Sequence, residues 1–284
     1  MRSASPTVRV QKIRKNKILP KLIVFASIAG VLLVVSIFAR QLCPFDPNEQ
    51  DLSMALKAPS PEHWLGTDRY GRDLFSRILV GSRASIYSTL ILVGIISVVG
   101  TALGIISGWR GGKLDAVIMR VSDVFLAFPG LVFALAVAGT LGGGIHNAII
   151  ALAAINWPKY ARIARSQTLA QKECTYMSAA KLAGDNDFHI IVTHIVPNII
   201  GPILVTAMLD IGTMMMELAG LSYLGLGAKP PVAEWGSMMS ETRTFLQTQP
   251  LLVLAPGIAI FISVLIFNLL GDTVRDYVDP KQRN

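Results

Sequence analysis

Asp210, Thr213, Met214 and Glu217 interrupt an otherwise apolar run, Ile199 to Leu221, at i, i+3, i+4 and i+7. That spacing places all four on one face of an α-helix. A carboxylate at the centre of a bilayer-spanning helix costs about 2.5–3.5 kcal/mol on insertion scales, so such a face turns toward a partner helix or a water-filled path. Two roles fit: a hydrogen-bonded structural pair, or groups lining a route for solute. The adjacent thioethers of Met214, Met215 and Met216 are soft metal donors, but Met in an apolar helix is also ordinary packing, and no metal site is assigned. Covalent chemistry is not encoded. A phosphate-cradling loop needs a glycine, four residues, then Gly-Lys-Ser/Thr; Gly112-Lys113 is followed by Leu114 and has Ser107 where the first glycine must stand. His-Glu-x-x-His, Gly-x-Ser-x-Gly and Cys-x-x-Cys are absent from the sequence. Cys43 and Cys174, on opposite sides of the bilayer in the topology below, offer neither a disulfide nor metal-ligand spacing. A non-catalytic chain without a bound cofactor is expected, powered by a partner or by an ion gradient.

Membrane helices must position these groups. The chain is 52% hydrophobic and only 15% charged, with a mean hydropathy of +0.53, whereas soluble domains carry roughly a quarter charged residues. The apolar residues come in blocks separated by charged loops, as in an all-α polytopic membrane protein. The net charge of +8 lies mainly at block edges, which fits membrane orientation and not a nucleic-acid surface. Six spans are expected. They lie near Leu19–Ala39, Ile86–Gly108, Val117–Leu141 (interrupted at Phe128-Pro129-Gly130), Asn147 onward, Ile199–Leu221 and Leu251–Leu270. The fourth is apolar only to about Trp157 and continues as a basic helix through Lys159, Arg162 and Arg165. The run Leu22–Ala39 is longer than a signal core, and Arg40-Gln41-Leu42-Cys43-Pro44 is a poor cleavage site, so the first span is read as uncleaved. With the N-terminus inside, about 18 of the 26 Lys and Arg fall in cytoplasmic segments against about 8 outside. Both termini are then cytoplasmic. The chain divides into a tail, 1–18, and a membrane domain, 19–284, with external segments 41–85 and 222–250 and a cytoplasmic loop 159–197.

Within that loop, residues 173–197 read as a helix, a break at Gly184, a restart at Asp185 and Asp187, and Pro197 leading back into the membrane. Ala179, Ala180 and Gly184 offer a small-residue face that another protein can approach; a plain helix–turn–helix is the alternative. Outside, Asp68, Arg72, Asp73 and Arg77 read as an exposed, salt-bridged helix capping the second span, or as a contact for solute.

The cytoplasmic segment resembles the "EAA" loop of ABC-importer permeases. Ala179, Ala180, Gly184 and Pro197 match its spacing, Ser178 stands where the family has glutamate, and Val196 replaces the usual leucine. A second likeness is to the dipeptide, oligopeptide and nickel permeases, specifically the second of the two related subunits. It rests on Leu65-Gly66-Thr67-Asp68, Gly71-Arg72-Asp73, Ser76-Arg77, Gly81-x-Arg83-x-Ser85, Ala219-Gly220-x-Ser222-x-Leu224-Gly225-Leu226-Gly227, Glu234-Trp235-Gly236 and Asn268-x-x-Gly271-Asp272-x-x-Arg275-Asp276, spanning about His63 to Pro280. Leu209-Asp210-Ile211-Gly212-x-Met214-Met215 and Thr248-Gln249-Pro250 lie nearer the nickel branch, although Thr213 and Glu217 stand where histidines are expected there. The resemblance implies a type I ABC-importer permease fold in the bacterial inner membrane, paired with a homologous permease. It also implies two cytoplasmic ATPases that bind ATP and Mg²⁺, an external substrate-binding protein, and nickel, a nickel chelate or small peptides as solute. The loop carrying Ser178, Ala179, Ala180, Gly184, Asp185 and Pro197 would be the ATPase-coupling element. Asp210, Met214 and Glu217 are candidates for the path, and Asp68, Gly71, Arg72, Asp73 and Arg77 for the external signature. An ion-coupled transporter using Asp210 and Glu217, or a membrane scaffold without a path, are the rival readings.

Overall fold

In a bilayer every backbone polar group must be satisfied internally, and the apolar runs accordingly become helices. A computed structural model describes residues 6–278, with side chains from residue 18 onward. Its helices are α1 (Pro6–Ile37), α2 (Ala39–Leu42), α3 (Leu74–Arg110), α4 (Gly112–Leu126), α5 (Gly130–Thr140), α6 (Ile145–Lys172), α7 (Thr175–Leu182), α8 (Asp187–Ile190), α9 (Val196–Tyr223), α10 (Trp235–Thr242) and α11 (Leu251–Val278). Among the described residues the only sheet-like pairing is an isolated bridge between Thr67 and Asp73. A π-helical turn, Ile191–Ile195, joins α8 to α9 without a break.

Among the described residues, four helical stretches are long and apolar enough to cross a membrane: Ile18–Ile37, α3, Asp187–Tyr223 and α11. The pair α4 and α5 makes a fifth only if counted as one span bent by 93° at Phe128-Pro129. The fourth expected span, α6, forms as a 28-residue helix. Its apolar part ends near Trp157, where Lys159, Arg162, Arg165 and Lys172 begin, so composition does not mark it as a span.

The second span differs from expectation at its outer end. Asp73 caps α3 by accepting the Ser76 N–H at 2.7 Å, so the helix starts at Leu74 instead of near Ile86. Its 37 residues reach about 55 Å, well past a hydrocarbon core of about 30 Å. The first turns of α3 therefore extend beyond the hydrocarbon layer.

The contacts sort into two units. The first holds the chain up to Ile86, Met208–Met216 and the chain from Pro231. In it α1 and α10 pack on α11, while over Ile18–Ile37 many apolar side chains, Ile23, Val31 and Val34 among them, are exposed, as on a lipid-facing helix. The second holds Tyr87–Ala207 and Glu217–Pro230, with α4 and α5 packed on α6. Here α3 also meets α6 along Gly100, Gly104 and Gly108. A Cβ at these positions would stand 2.5 Å from the Trp157 carbonyl, 2.3 Å from that of Ala161 and 3.0 Å from that of Arg165. Backbones this close admit only glycine, the small-residue contact by which membrane helices associate.

Candidate functional sites

The external signature is a buried structure, which corrects the exposed helix expected from its charges. Asp68, Arg72, Asp73 and Arg77 are all buried, Arg77 to 1% exposure. The Arg72 Nε donates to Asp68 Oδ2 at 2.6 Å, its other end reaches Glu241 of α10 at 3.3 Å, and Arg77 lies 3.6 Å from the same Asp68 oxygen. Arg77 also donates to the Pro47 carbonyl at 3.1 Å. The remaining Asp68 oxygen accepts the Tyr70 and Arg72 N–H groups at 2.8 and 3.1 Å. Asp73 divides its carboxylate between the α3 cap and His63 Nδ1 at 2.9 Å. Gly71 is obligatory: φ is +75°, and a Cβ would lie 1.7 Å from the Asp51 carbonyl. Nearby, Phe45, Asp46, Glu49, Asp51, Met54, His63, Gly71 and Asp73 line a cavity of about 190 Å³.

Two signature pieces far apart in sequence interlock. Glu234, fully buried, caps α10 through the N–H groups of Gly236 (3.0 Å) and Ser237 (2.8 Å) and accepts the Ser85 hydroxyl at 3.1 Å. Ser85 Oγ in turn accepts the Trp235 N–H at 3.1 Å, and the indole donates to the Ile78 carbonyl at 3.0 Å. The Ser85 and Glu234-Trp235-Gly236 motifs thus fix α10 to the outer part of α3. The third motif, Leu224 to Gly227, ties back to the α5–α6 turn: the Gly144 N–H donates to the Leu226 carbonyl at 3.0 Å.

The segment 173–197 has the expected helix, break and restart. The α7 helix, carrying Ser178, Ala179 and Ala180, ends in a Schellman motif. Gly184, at φ +89°, donates to the Lys181 carbonyl at 3.1 Å, and Asp185 donates to that of Ala180 at 3.2 Å. Two details differ from the sequence reading. The restart is capped by Asn186, whose side chain accepts the His189 N–H at 2.8 Å. Asp187 only occupies the first turn, while Asp185 faces His189 at 3.9 Å. Ala180 does not join an outward small-residue face, because with Met177 it is buried against its own chain; Ala179 and Gly184 are exposed. What flanks the break instead is apolar: Leu182 and Phe188 are 89% and 77% exposed. Sequence reasoning passed over these two, although apolar residues on either side of a glycine break in a polar segment were the signal. Pro197 sits directly after the π-helical turn Ile191–Ile195, inside the continuous helix Asp187–Tyr223, where the irregular turn accommodates a residue without an N–H.

In the fifth expected span, Asp210 and Met214 are buried, Asp210 to 4% exposure, while Thr213 is exposed. The four-residue polar face is therefore not buried as one strip. Glu217 is half-buried and accepts the Asn156 side-chain N–H of α6 at 3.2 Å, a partner the sequence did not suggest. Also in the second unit, Arg165 grips Asp115 of α4 with two hydrogen bonds, 2.5 and 2.6 Å, and Ser107 donates to the same carboxylate.

Residues 100–284 match a family described as "Binding-protein-dependent transport system inner membrane component". The chain is 44% identical over 262 residues to the "Probable D,D-dipeptide transport system permease protein" of Escherichia coli, covering 92% of this chain and 88% of that one. It is 41% identical over 255 residues to the glutathione transport system permease protein of Pectobacterium atrosepticum (89% and 85% covered). It is 40% identical over 253 residues to the nickel transport system permease protein of Escherichia coli (89% and 91% covered). Among solved structures it resembles an inward-facing conformation of the MetNI methionine ABC transporter, with a TM-score of 0.55 at 16% identity, covering 71% of this chain and 96% of that one. That last likeness is one of fold.

Proposed function

This chain belongs to the family of inner-membrane components of binding-protein-dependent transport systems, and from that premise we propose how it is powered and what it carries. It forms one half of a translocation path with a homologous permease. Two cytoplasmic ATPases bind the ATP and Mg²⁺, the chain itself binding neither, and an external binding protein delivers solute. Both termini lie in the cytoplasm, and α6 completes six crossings with its basic end at the inner surface. Asp210, Met214 and Glu217 contribute to the path, and the external protein delivers solute to the outer loops, which the buried signature holds in place.

The observation that carries the reading is the α7–α8 turn. Leu182 and Phe188 project on either side of Gly184 while Met177 and Ala180 seat α7 on its own chain. Exposed apolar side chains beside a tight polar turn fit a knob held in another protein's cleft, the place through which ATPase closure would move this chain. Gly184→Trp tests it. Open space surrounds the Gly184 Cβ position, so the fold loses only the left-handed backbone preference, about 1–2 kcal/mol, while the knob becomes too large for a cleft. The variant should insert normally and leave ATP hydrolysis running while uptake falls. Normal uptake defeats the docking role.

The solute is a short peptide or Ni²⁺. Identities to the dipeptide and glutathione relatives match or exceed that to the nickel relative, which supports peptide against the lean of the motif around Asp210. Calorimetry of the cognate external protein with dialanine and with Ni²⁺ decides between them.

A further inference from the structure

Trp109 lies in the last turn of α3, buried, and two cations from different helices converge on it. Lys172, at the end of α6, donates to the Trp109 carbonyl at 2.7 Å, and its ammonium stands 5.5 Å from the centroid of the ring. Lys181, in the last turn of α7, stands 5.1 Å from the same ring. Both separations lie within cation–π range; the indole is buried, while the Lys181 ammonium approaches it from an exposed side chain. The carbonyl that Lys172 takes up is one of those a helix end leaves without a partner.

We propose that Trp109 is the positioning residue through which displacement of α7 reaches the spans. The inference deepens the coupling role proposed for the α7–α8 turn and rests on it. The glycine contacts at 100, 104 and 108, together with the Lys172 bond, hold the end of α3 to α6 as one body. The Arg165–Asp115 pair extends that body to α4. Lys181 alone among these groups sits on the coupling helix, at the third residue before Gly184. A push on α7 therefore moves a cation against an indole already fixed to two spanning helices. A purely structural tryptophan needs only bulk; a transmitting one needs an aromatic face and a cation opposite it.

The two requirements separate in the complete complex, permeases and ATPases together, reconstituted in vesicles with the external protein and with radiolabelled dialanine and radioactive Ni²⁺ as import probes. Trp109→Phe and Lys181→Arg keep the pair and should import within about twofold of the native complex. Lys181→Met and Trp109→Leu should import about fivefold less per ATP hydrolysed, the factor corresponding to one cation–π contact with an exposed lysine. The double variant Trp109→Leu/Lys181→Met should be no worse than either single one, because both remove one interaction. Lys181 is exposed, so its substitution reads transmission without the folding risk carried by Trp109. Native import per ATP in Lys181→Met, or additive losses in the double variant, overturns the proposal. Gly184→Trp in the same vesicles distinguishes the two levels. If it uncouples and Lys181→Met does not, only the role of Trp109 falls; if neither uncouples, or the native complex imports neither probe, the coupling reading falls with it.

Discussion

The α3–α6 contact makes a sharp prediction, because one substitution made at two positions of one helix should change stability in opposite directions. Gly94 and Gly104 both lie inside α3. At Gly94 a Cβ meets nothing within 4 Å; at Gly104 it would lie 2.3 Å from the Ala161 carbonyl oxygen and 2.7 Å from the Ala164 Cβ. Gly→Ala in a helix interior gains about 0.5–1 kcal/mol of conformational preference at either site. At Gly104 the methyl must push α6 back by most of an ångström, and overpacking of this kind costs about 1–3 kcal/mol. At the middle of both ranges the net loss is about 1 kcal/mol, or roughly 2–4 °C in midpoint at the usual 2–4 °C per kcal/mol for chains approaching this length. Thermal unfolding of the two purified variants, followed by loss of the monodisperse detergent-solubilised species, measures the difference. Gly94→Ala should match or exceed the native midpoint and Gly104→Ala should fall below it. A rise of equal size in both would mean that α3 and α6 are not in backbone contact, and the rigid body attributed to them would be lost.

Other consequences follow from the external region. Asp68→Ala removes the carboxylate shared by Arg72 and Arg77 and leaves two guanidinium groups buried; stranding buried charge typically costs about 3–5 kcal/mol, so the amount of folded protein recovered from membranes should drop sharply while Asp46→Ala, at the rim, leaves it unchanged. Ser85→Ala removes one donor to Glu234 and the acceptor of the Trp235 N–H and should destabilise by about 1–3 kcal/mol, read as a lower unfolding midpoint. Burial, reinforced by the Asp73 and Asp46 carboxylates and opposed by a hydrogen bond with Ser76, raises the Cys43 thiol above its ordinary value of 9.0. Since the thiolate is the reacting form, maleimide labelling of Cys43 should still be accelerating above pH 9, where an ordinary thiol begins to level off; a rate already flat there contradicts the buried setting.

What the sequence made legible was what local chemistry determines. The break at Phe128-Pro129-Gly130, the passage of α6 from apolar to basic after Trp157, and the turn at Gly184 all depend on residues within a few positions, and all three stand in the structure. The charges at Asp68, Arg72 and Arg77 were misread as exposed because what buries them is remote: Glu241 lies 169 residues from Arg72, and Pro47 lies 30 from Arg77. That stretch was read as a helix capping the second span; that the two form one continuous α3 from Leu74 became visible only in the structure. Ala180 points inward for a reason visible only once α7 is packed. The i, i+4, i+8 glycines at 100, 104 and 108 were open to inspection, yet spacing shows a close approach without naming α6 as the partner. Of the candidate path, the position of Asp210 was readable from hydropathy, while the bond from Asn156 to Glu217 required two helices to meet.

The most direct test of power reaching this chain through the α7–α8 turn is a photo-crosslinker at position 182 in the assembled transporter, irradiated in native membranes. The account predicts an adduct with the ATP-hydrolysing subunit whose yield changes when nucleotide is added. Adducts only with the external protein, or none with any nucleotide-binding chain, would contradict it.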